Sequence, residues 1–190
     1  MAAVHSQMLP LGTLAPEFSL PDPDQEMHSL GDGAAAYVVM FICNHCPFVK
    51  HVRAELARLG RDYQERGVSI IAINSNDAST YPADSPAAMK AEAATWGYTF
   101  PYVFDADQSV AKAFLAACTP DFYVFDANRR LAYRGQLDDS RPGNDVPVTG
   151  KDVRNALDAI LSASPVDAAQ VPSIGCNIKW VPGNEPAYFS

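Results

Sequence analysis

The chain has 190 residues, 48% of them hydrophobic and 19% charged, with a formal net charge of −8, which suits one domain of 1–190 with a real core. The acidic balance argues against a nucleic-acid or anionic-membrane surface, because both need clustered positive charge. Met1 to Gly12 carries neither a basic nor a long apolar leader, and no apolar run reaches the roughly 18 residues of a membrane span, so a soluble cytoplasmic protein is expected.

Residues 13–30 alternate short apolar stretches with Pro and Asp, which predicts a β-hairpin or two short strands. Tyr37 to Ile42 is a continuous apolar run of strand length, as for a central strand covered on both faces. It ends at Cys43-Asn44-His45-Cys46, and a helical pattern begins near Pro47. Phe48, Val52, Leu56, Leu59 and Tyr63 recur at helical spacing and give one apolar face, with Gly67 placed to end the helix as a left-handed cap. Arg53, Arg58, Arg61 and Arg66 are interspersed with Glu55, Asp62 and Glu65 and read as its solvated face. Val68 to Ile73 is the next strand, so residues 37–73 form a β-α-β unit with parallel strands. Asn74 to Asp77 follows at the carboxyl end of that strand, where open α/β sheets place ligand contacts, although turn chemistry also accounts for its composition.

Ser85-Pro86 is an N-cap followed by Pro at the first helical position, and Met89, Ala93 and Trp96 mark a buried stripe before Gly97. Pro101 to Phe104 is a short strand. Asp107 is placed to cap a helix with Val110, Phe114 and Ala117 facing inward. Asp121 to Asp126 and Leu131 to Arg134 flank a four-residue connection and predict a β-hairpin. Thr149 with Asp152 resembles a capping box for a last helix whose Val153, Leu157 and Ile160 pack inward. Residues 166–190 lose periodicity but hold Cys176 and Trp180, which predicts an ordered C-terminal wrap.

The chemistry concentrates at Cys43 and Cys46. A C-x-x-C at a strand-to-helix junction places sulfur beside unsatisfied N–H groups and a positive dipole end, which favours the thiolate. The functional reading is thiol–disulfide exchange, with Cys43 attacking, Cys46 resolving and His45 tuning the first thiolate. A structural or metal-binding pair is the competing reading; His45, His51, Cys118 and Cys176 could complete a zinc set, but no second C-x-x-C or His-x-x-x-His exists to form a knuckle. Neither a metal nor another cofactor is expected. Asp121 and Glu55 are candidates for the proton acceptor of Cys46.

The element order, with Gly12 to Phe18, the C-x-x-C, Phe100-Pro101, Phe104-Asp105, Thr119-Pro120, Tyr123 to Asp126 and Tyr133-Arg134-Gly135, resembles the thioredoxin fold. It resembles most the alkyl hydroperoxide reductase/thiol-specific antioxidant family of thioredoxin-like and peroxiredoxin-like redoxins, over roughly residues 9–165. That resemblance implies an α/β fold with a mixed central sheet flanked by helices, an N-terminal hairpin and an inserted β-α unit. It also implies a cis bond at Thr119-Pro120, whose loop faces the C-x-x-C and pairs with substrate. The buried acid that assists thioredoxin is replaced here by Tyr37.

The segment from Cys176 to Gly183 resembles the resolving-cysteine segment of two-cysteine peroxiredoxins. On that alignment Cys46 becomes a peroxide-attacking cysteine and Cys176 its resolving partner, while Cys43 and Val39 replace two residues of the peroxidase motif and the activating arginine has no counterpart. The readings therefore rank as thiol–disulfide oxidoreductase, then thiol peroxidase, then a non-catalytic binding module presenting Asn74–Asp77 and the C-terminal wrap. Cys118 and Cys176 are candidates for additional redox roles. The expected partners are protein or small-molecule disulfides or peroxides, with a thiol reductant as electron donor, acting on a monomer or homodimer.

Overall fold

The computed structural model describes residues 3–189. In chain order its elements are β1 (Ala3–His5), β2 (Leu20–Pro21), β3 (Met27–His28), β4 (Ala36–Phe41), α1 (Pro47–Gln64), β5 (Val68–Asn74), a 3-10 turn (Pro82–Asp84) and α2 (Pro86–Trp96). There follow β6 (Tyr102–Phe104), α3 (Ser109–Ala113), β7 (Cys118–Thr119), β8 (Asp121–Asp126), β9 (Leu131–Gly135), α4 (Lys151–Leu161) and β10 (Ile174–Asn177).

Every residue of β4 is buried, which is why its sequence is apolar throughout rather than alternating. Val38, Met40 and Ile42 face one layer with Val52, Leu56 and Leu59 of α1, Met89 of α2 and Leu157 of α4. Tyr37, Val39 and Phe41 face the opposite layer with Val110 and Phe114 of α3 and Trp180 of the C-terminal segment. Burial of each large side chain contributes roughly 1.5–3 kcal/mol before entropy is counted, so β4 is anchored from both sides. The central sheet runs β6-β5-β4-β8-β9, with β4 parallel to β5, β5 parallel to β6, and β8 antiparallel to both β4 and β9. This mixed sheet with helices on both faces is a thioredoxin fold with an inserted β-α unit, and β2 and β3 form the expected N-terminal hairpin.

Several expected details differ. The buried stripe of α1 begins at Val49 rather than Phe48, and its cap is Glu65 in right-handed geometry, with the left-handed Gly67 beyond it in the turn to β5. Of the α2 stripe only Met89 is fully buried; Trp96 is half-buried under the Arg53 guanidinium, 4.2 Å from the ring centroid. Helix α3 is capped at Gln108, while Asp107 accepts from the Ser109 N–H, and Ala117 lies beyond the helix. The capping box is absent from α4. Its N-cap is the left-handed Gly150, Asp152 accepts from Gln136, and Asp138 takes the N–H groups of Thr149 and Gly150, each at 2.6 Å.

The ends of the chain form a second sheet, β1-β10-β7, in which β10 is the middle strand and antiparallel to both neighbours. Cys176 of β10 stands opposite Thr119 of β7 and Ala3 of β1. The wrap is thus a structural strand that fixes the position of Thr119. Gly175 permits this approach, because a Cβ there would sit 2.0 Å from the Thr119 carbonyl oxygen and 2.7 Å from its carbon.

Gly175→Ala is therefore expected to push β10 off β7 and to lower stability by ~1–3 kcal/mol, the usual range for an overpacked site. The urea midpoint measures it; an unchanged midpoint would contradict the seating of β10.

Candidate active site

Strand β4 delivers the C-x-x-C to the N-terminal end of α1. Cys46 is the N-cap, in extended geometry (φ −65°, ψ 124°), and Pro47 follows in the first turn, where its missing N–H is not needed. All four cysteines are free thiols and buried, Cys43 with 1% and Cys46 with 0% of its surface exposed. The Thr119–Pro120 peptide is cis. Thr119 meets both sulfurs: its Oγ1 is 3.3 Å from Cys43 Sγ, and its carbonyl oxygen is 3.3 Å from Cys46 Sγ, a hydrogen bond while that thiol is protonated.

The two thiols are electrostatically unequal. A hydrogen bond from Cys43 draws the Cys46 pKa down from 9.0 to about 5, against the opposing effect of burial, with further donation from Cys176 and the Val49 backbone N–H. Cys43 moves well above the ordinary thiol value because of its bond to Cys46, its burial and the nearby Asp84 carboxylate. The sequence places the stabilised thiolate on Cys43; within the pair the electrostatics favour it on Cys46, the sulfur at the helix end. Cys176 is pushed up to about 12 by burial and by its hydrogen bond to Cys46, and burial likewise raises Cys118, whose sulfur lies 3.9 Å from the Pro120 carbonyl oxygen.

Behind the cysteines lies Asp84, fully buried, at the end of the 3-10 turn. Its Oδ1 accepts from the backbone N–H groups of Asn44 (2.8 Å) and His45 (3.2 Å). Its Oδ2 lies 2.5 Å from His45 Nδ1 and accepts from Asn76 Nδ2 at 2.8 Å. The Asn44 side chain is held in turn, with its amide donating to Ala83 O and its carbonyl accepting from Tyr102 OH. The His45 ring stacks on Tyr81, with centroids 5.3 Å apart and planes 9° from parallel. Asp84 was invisible as a site residue in the sequence because its partners are about 40 positions away and no local spacing marks it.

Asn74 to Asp77 belongs to this scaffold. All four residues are buried; Asn74 donates to Asp84 O, and Asn76 accepts from the Lys179 N–H. Burial rules out this stretch as a presented binding loop. Glu55 is also removed as a proton acceptor, since its carboxylate is paired with Arg154 and Arg58 on the α4 side of α1. Tyr37 uses its hydroxyl to accept from Ala34 N–H. Asp121 is fully buried and bonded to Tyr123 OH at 2.9 Å.

Among the described residues two groups have the donors for a metal ion: Asp22, Glu26 and His28 in the N-terminal hairpin, and Cys43, His45 and Asp84, whose ligand atoms lie within 4.8 Å of one another. In the second group His45 and Asp84 are already bonded to each other, and Asp84 is further occupied by three other donors. That arrangement suits proton sharing better than coordination. No helix among the described residues is long and apolar enough to cross a membrane.

Fold and site together define a redoxin, a thioredoxin-fold protein with paired cysteines at a helix N-terminus opposite a cis-proline. More narrowly, residues 11–134 match the AhpC/TSA family, and the chain belongs to it. No curated protein matches the sequence. Among solved structures, an uncharacterized conserved protein from Geobacillus kaustophilus is 58% identical with a TM-score of 0.94, covering 96% of this chain and 98% of its own. A hypothetical protein from Sinorhizobium meliloti 1021 is 50% identical with a TM-score of 0.93, covering 94% and 99%. A putative thiol:disulfide interchange protein DsbE from Chlorobium tepidum, at 18% identity and TM-score 0.62 over 80% of this chain and 99% of its own, shares the fold.

Two measurements follow from these electrostatics. Alkylation of Cys46 by iodoacetamide, followed by peptide mass analysis, is expected to show a midpoint near pH 5 that is absent in Cys46→Ser, with Cys43 unreactive until well above pH 9. Burial raises the Asp121 pKa from 3.8 to about 7. Between those values the unfolded carboxyl is ionised while the folded one keeps its proton, so this group's contribution to stability falls as pH rises through the window and is flat above it. Asp121→Asn should therefore gain on the parent by on the order of 4 kcal/mol between about pH 4 and pH 8. Parallel urea titrations at the two pH values give this difference; a pH-independent one would contradict the raised pKa.

Proposed function

We propose that this protein is a thiol–disulfide oxidoreductase that cycles between a Cys43/Cys46 dithiol and the corresponding disulfide. The observation that carries this reading is the placement of two free sulfurs at a helix N-terminus against Thr119 of the cis-proline loop, which meets both; the electrostatics of the pair favour the thiolate on Cys46 and the proton on Cys43. Cys46 thiolate attacks a substrate disulfide, forms a mixed disulfide and releases one substrate sulfur as thiolate. Cys43 then loses its proton and attacks Cys46 Sγ, closing the protein disulfide and releasing the second substrate sulfur. Two electrons pass to the substrate, and an external thiol reductant restores the dithiol by the reverse exchange. No cofactor is needed.

The reading is supported by family membership, and by the fold shared with proteins described as disulfide oxidoreductases and thiol:disulfide interchange proteins. The cis-proline loop stands against both sulfurs through Thr119. Thr119 and Pro120 would shape its contact with substrate. Unpaired thiols suit a reducing, cytoplasmic setting.

A second reading, peroxide reduction, is favoured by one observation: β10 places Cys176 opposite Thr119, whose carbonyl oxygen meets Cys46 Sγ. Peroxide would oxidise Cys46 to a sulfenic acid, releasing water or alcohol, and Cys176 would condense with it to a disulfide, releasing water.

The discriminating experiment compares Cys43→Ser, Cys46→Ser and Cys176→Ser against a small aromatic disulfide and against hydrogen peroxide. Cys46→Ser is expected to lose at least ~100-fold in disulfide turnover, and Cys43→Ser to trap a Cys46–substrate mixed disulfide detectable by intact mass. Cys176→Ser should retain disulfide turnover. Peroxide turnover that survives Cys43→Ser but is lost in Cys176→Ser would replace the first reading with the second.

A further inference from the structure

Closing the Cys43–Cys46 disulfide requires a base, because Cys43 is the protonated partner and must become nucleophilic only after Cys46 has reacted. The base must lie close to Cys43, be shielded from bulk water, and have no cation already neutralising it. Glu55 fails on the last count, being paired with Arg58 and Arg154. Asp121 accepts from Tyr123 OH and its neighbour's N–H, and it bears on the Cys118 side of the cis-proline loop. Tyr102 donates its hydroxyl to Asn44 and so acts as a hydrogen-bond donor there.

The pair of Asp84 and His45 meets every requirement. One polar atom of each residue and Cys43 Sγ lie within 4.8 Å of one another, a separation that one bridging water spans for proton transfer. The His45 Nδ1 to Asp84 Oδ2 separation of 2.5 Å lets the two groups share a proton delivered to either. His45 Nε2 is buried without a hydrogen-bond partner among the described residues, an orphan that purely structural histidines rarely show. Besides His45, the carboxylate is held by backbone N–H groups and an Asn amide, which orient it and carry no charge.

We infer that the Asp84–His45 pair is the proton acceptor for Cys43 as its sulfur closes the disulfide onto Cys46. This rests on the oxidoreductase reading above. In the step, the Cys43 S–H proton passes to the pair, the Cys43–Cys46 S–S bond forms, the Cys46–substrate S–S bond breaks, and the departing substrate thiolate takes up the proton. The effect of Asp84 in keeping Cys43 protonated before attack fits the same role. The other titratable groups facing the pair are Tyr81 stacked on His45, Lys179 with its Nζ 5.9 Å from the Tyr81 ring centroid, Tyr102 across Asn44, and Cys46.

The test is a single-turnover rapid-quench experiment with the full chain and a small aromatic disulfide, following mixed-disulfide formation and its closure separately across neutral pH. Asp84→Asn keeps an oxygen for the Asn44 and His45 N–H groups but accepts no proton. It is expected to form the mixed disulfide at a rate within about threefold of the parent and to close it about 100-fold more slowly, the lower range for general-base catalysis. Its closure should rise about tenfold per pH unit, as for a thiol ionised by solvent, whereas the parent's closure should depend on pH much less steeply. His45→Gln, which leaves Asp84 in place, should slow closure less and carries the test if Asp84→Asn does not fold. Closure with parental rate and pH profile in the folded variants overturns the inference. So does an equal slowing of formation and closure, which would make Asp84 only a scaffold. Failure of Cys43→Ser to accumulate any mixed disulfide would instead overturn the oxidoreductase reading itself.

Discussion

A carboxylate with no exposed surface is the constraint on which the rest of the site depends. Burying an ionised group without partners costs far more than a domain can spare, so the surrounding chain must supply donors. Asp84 receives them from Asn44 and His45 at the tip of the β4–α1 connection and from Asn76 after β5. Through Asn76 and Lys179 the same knot reaches the C-terminal segment, where the Asp77 N–H also donates to Lys179 O. Segments far apart in sequence thus share one reason to be where they are. The orientation of the C-x-x-C follows from satisfying this group, as much as from the packing of β4.

The inequality of the two sulfurs grows from this arrangement. Both are buried, and burial alone would raise both thiol pKa values. What separates them is position: Cys46 stands at the N-cap of a helix, while Cys43 faces the Asp84 carboxylate. A single proton is thereby localised on one of two touching atoms. The Thr119 side chain meets the first sulfur and its backbone carbonyl the second, so the cis-proline loop contacts both ends of the couple.

The elements with strong periodicity were legible in the sequence. The apolar run of β4, the helical spacing in α1 and the strand of β5 each report on local structure and on burial at once, and Cys43 and Cys46 stand out where those patterns meet. Asp84 was not legible, because its role comes from tertiary contacts and its immediate neighbours signal only a turn beside a proline. Strands β1 and β10 were missed because each is too short for alternation to emerge, and Gly175 and Asn177 depress strand propensity where close approach to Thr119 is required. The α4 cap was misread because Asp138, lying in the loop after β9, took the donors that a local capping box would have satisfied. The dipole argument pointed to the helix end, and the residue standing at that N-cap is Cys46, three residues after the motif begins.

The pairing of β7 only with β10 has a consequence for assembly. Thr119 is synthesised more than 50 residues before the strand that sets its register, and β4 and α1 emerge earlier still. During translation the reactive cysteines therefore exist on a chain whose opposing wall is unfinished. Strand β10 acts as a clasp that also captures β1, so the compartment around the sulfurs closes only once β10 has emerged.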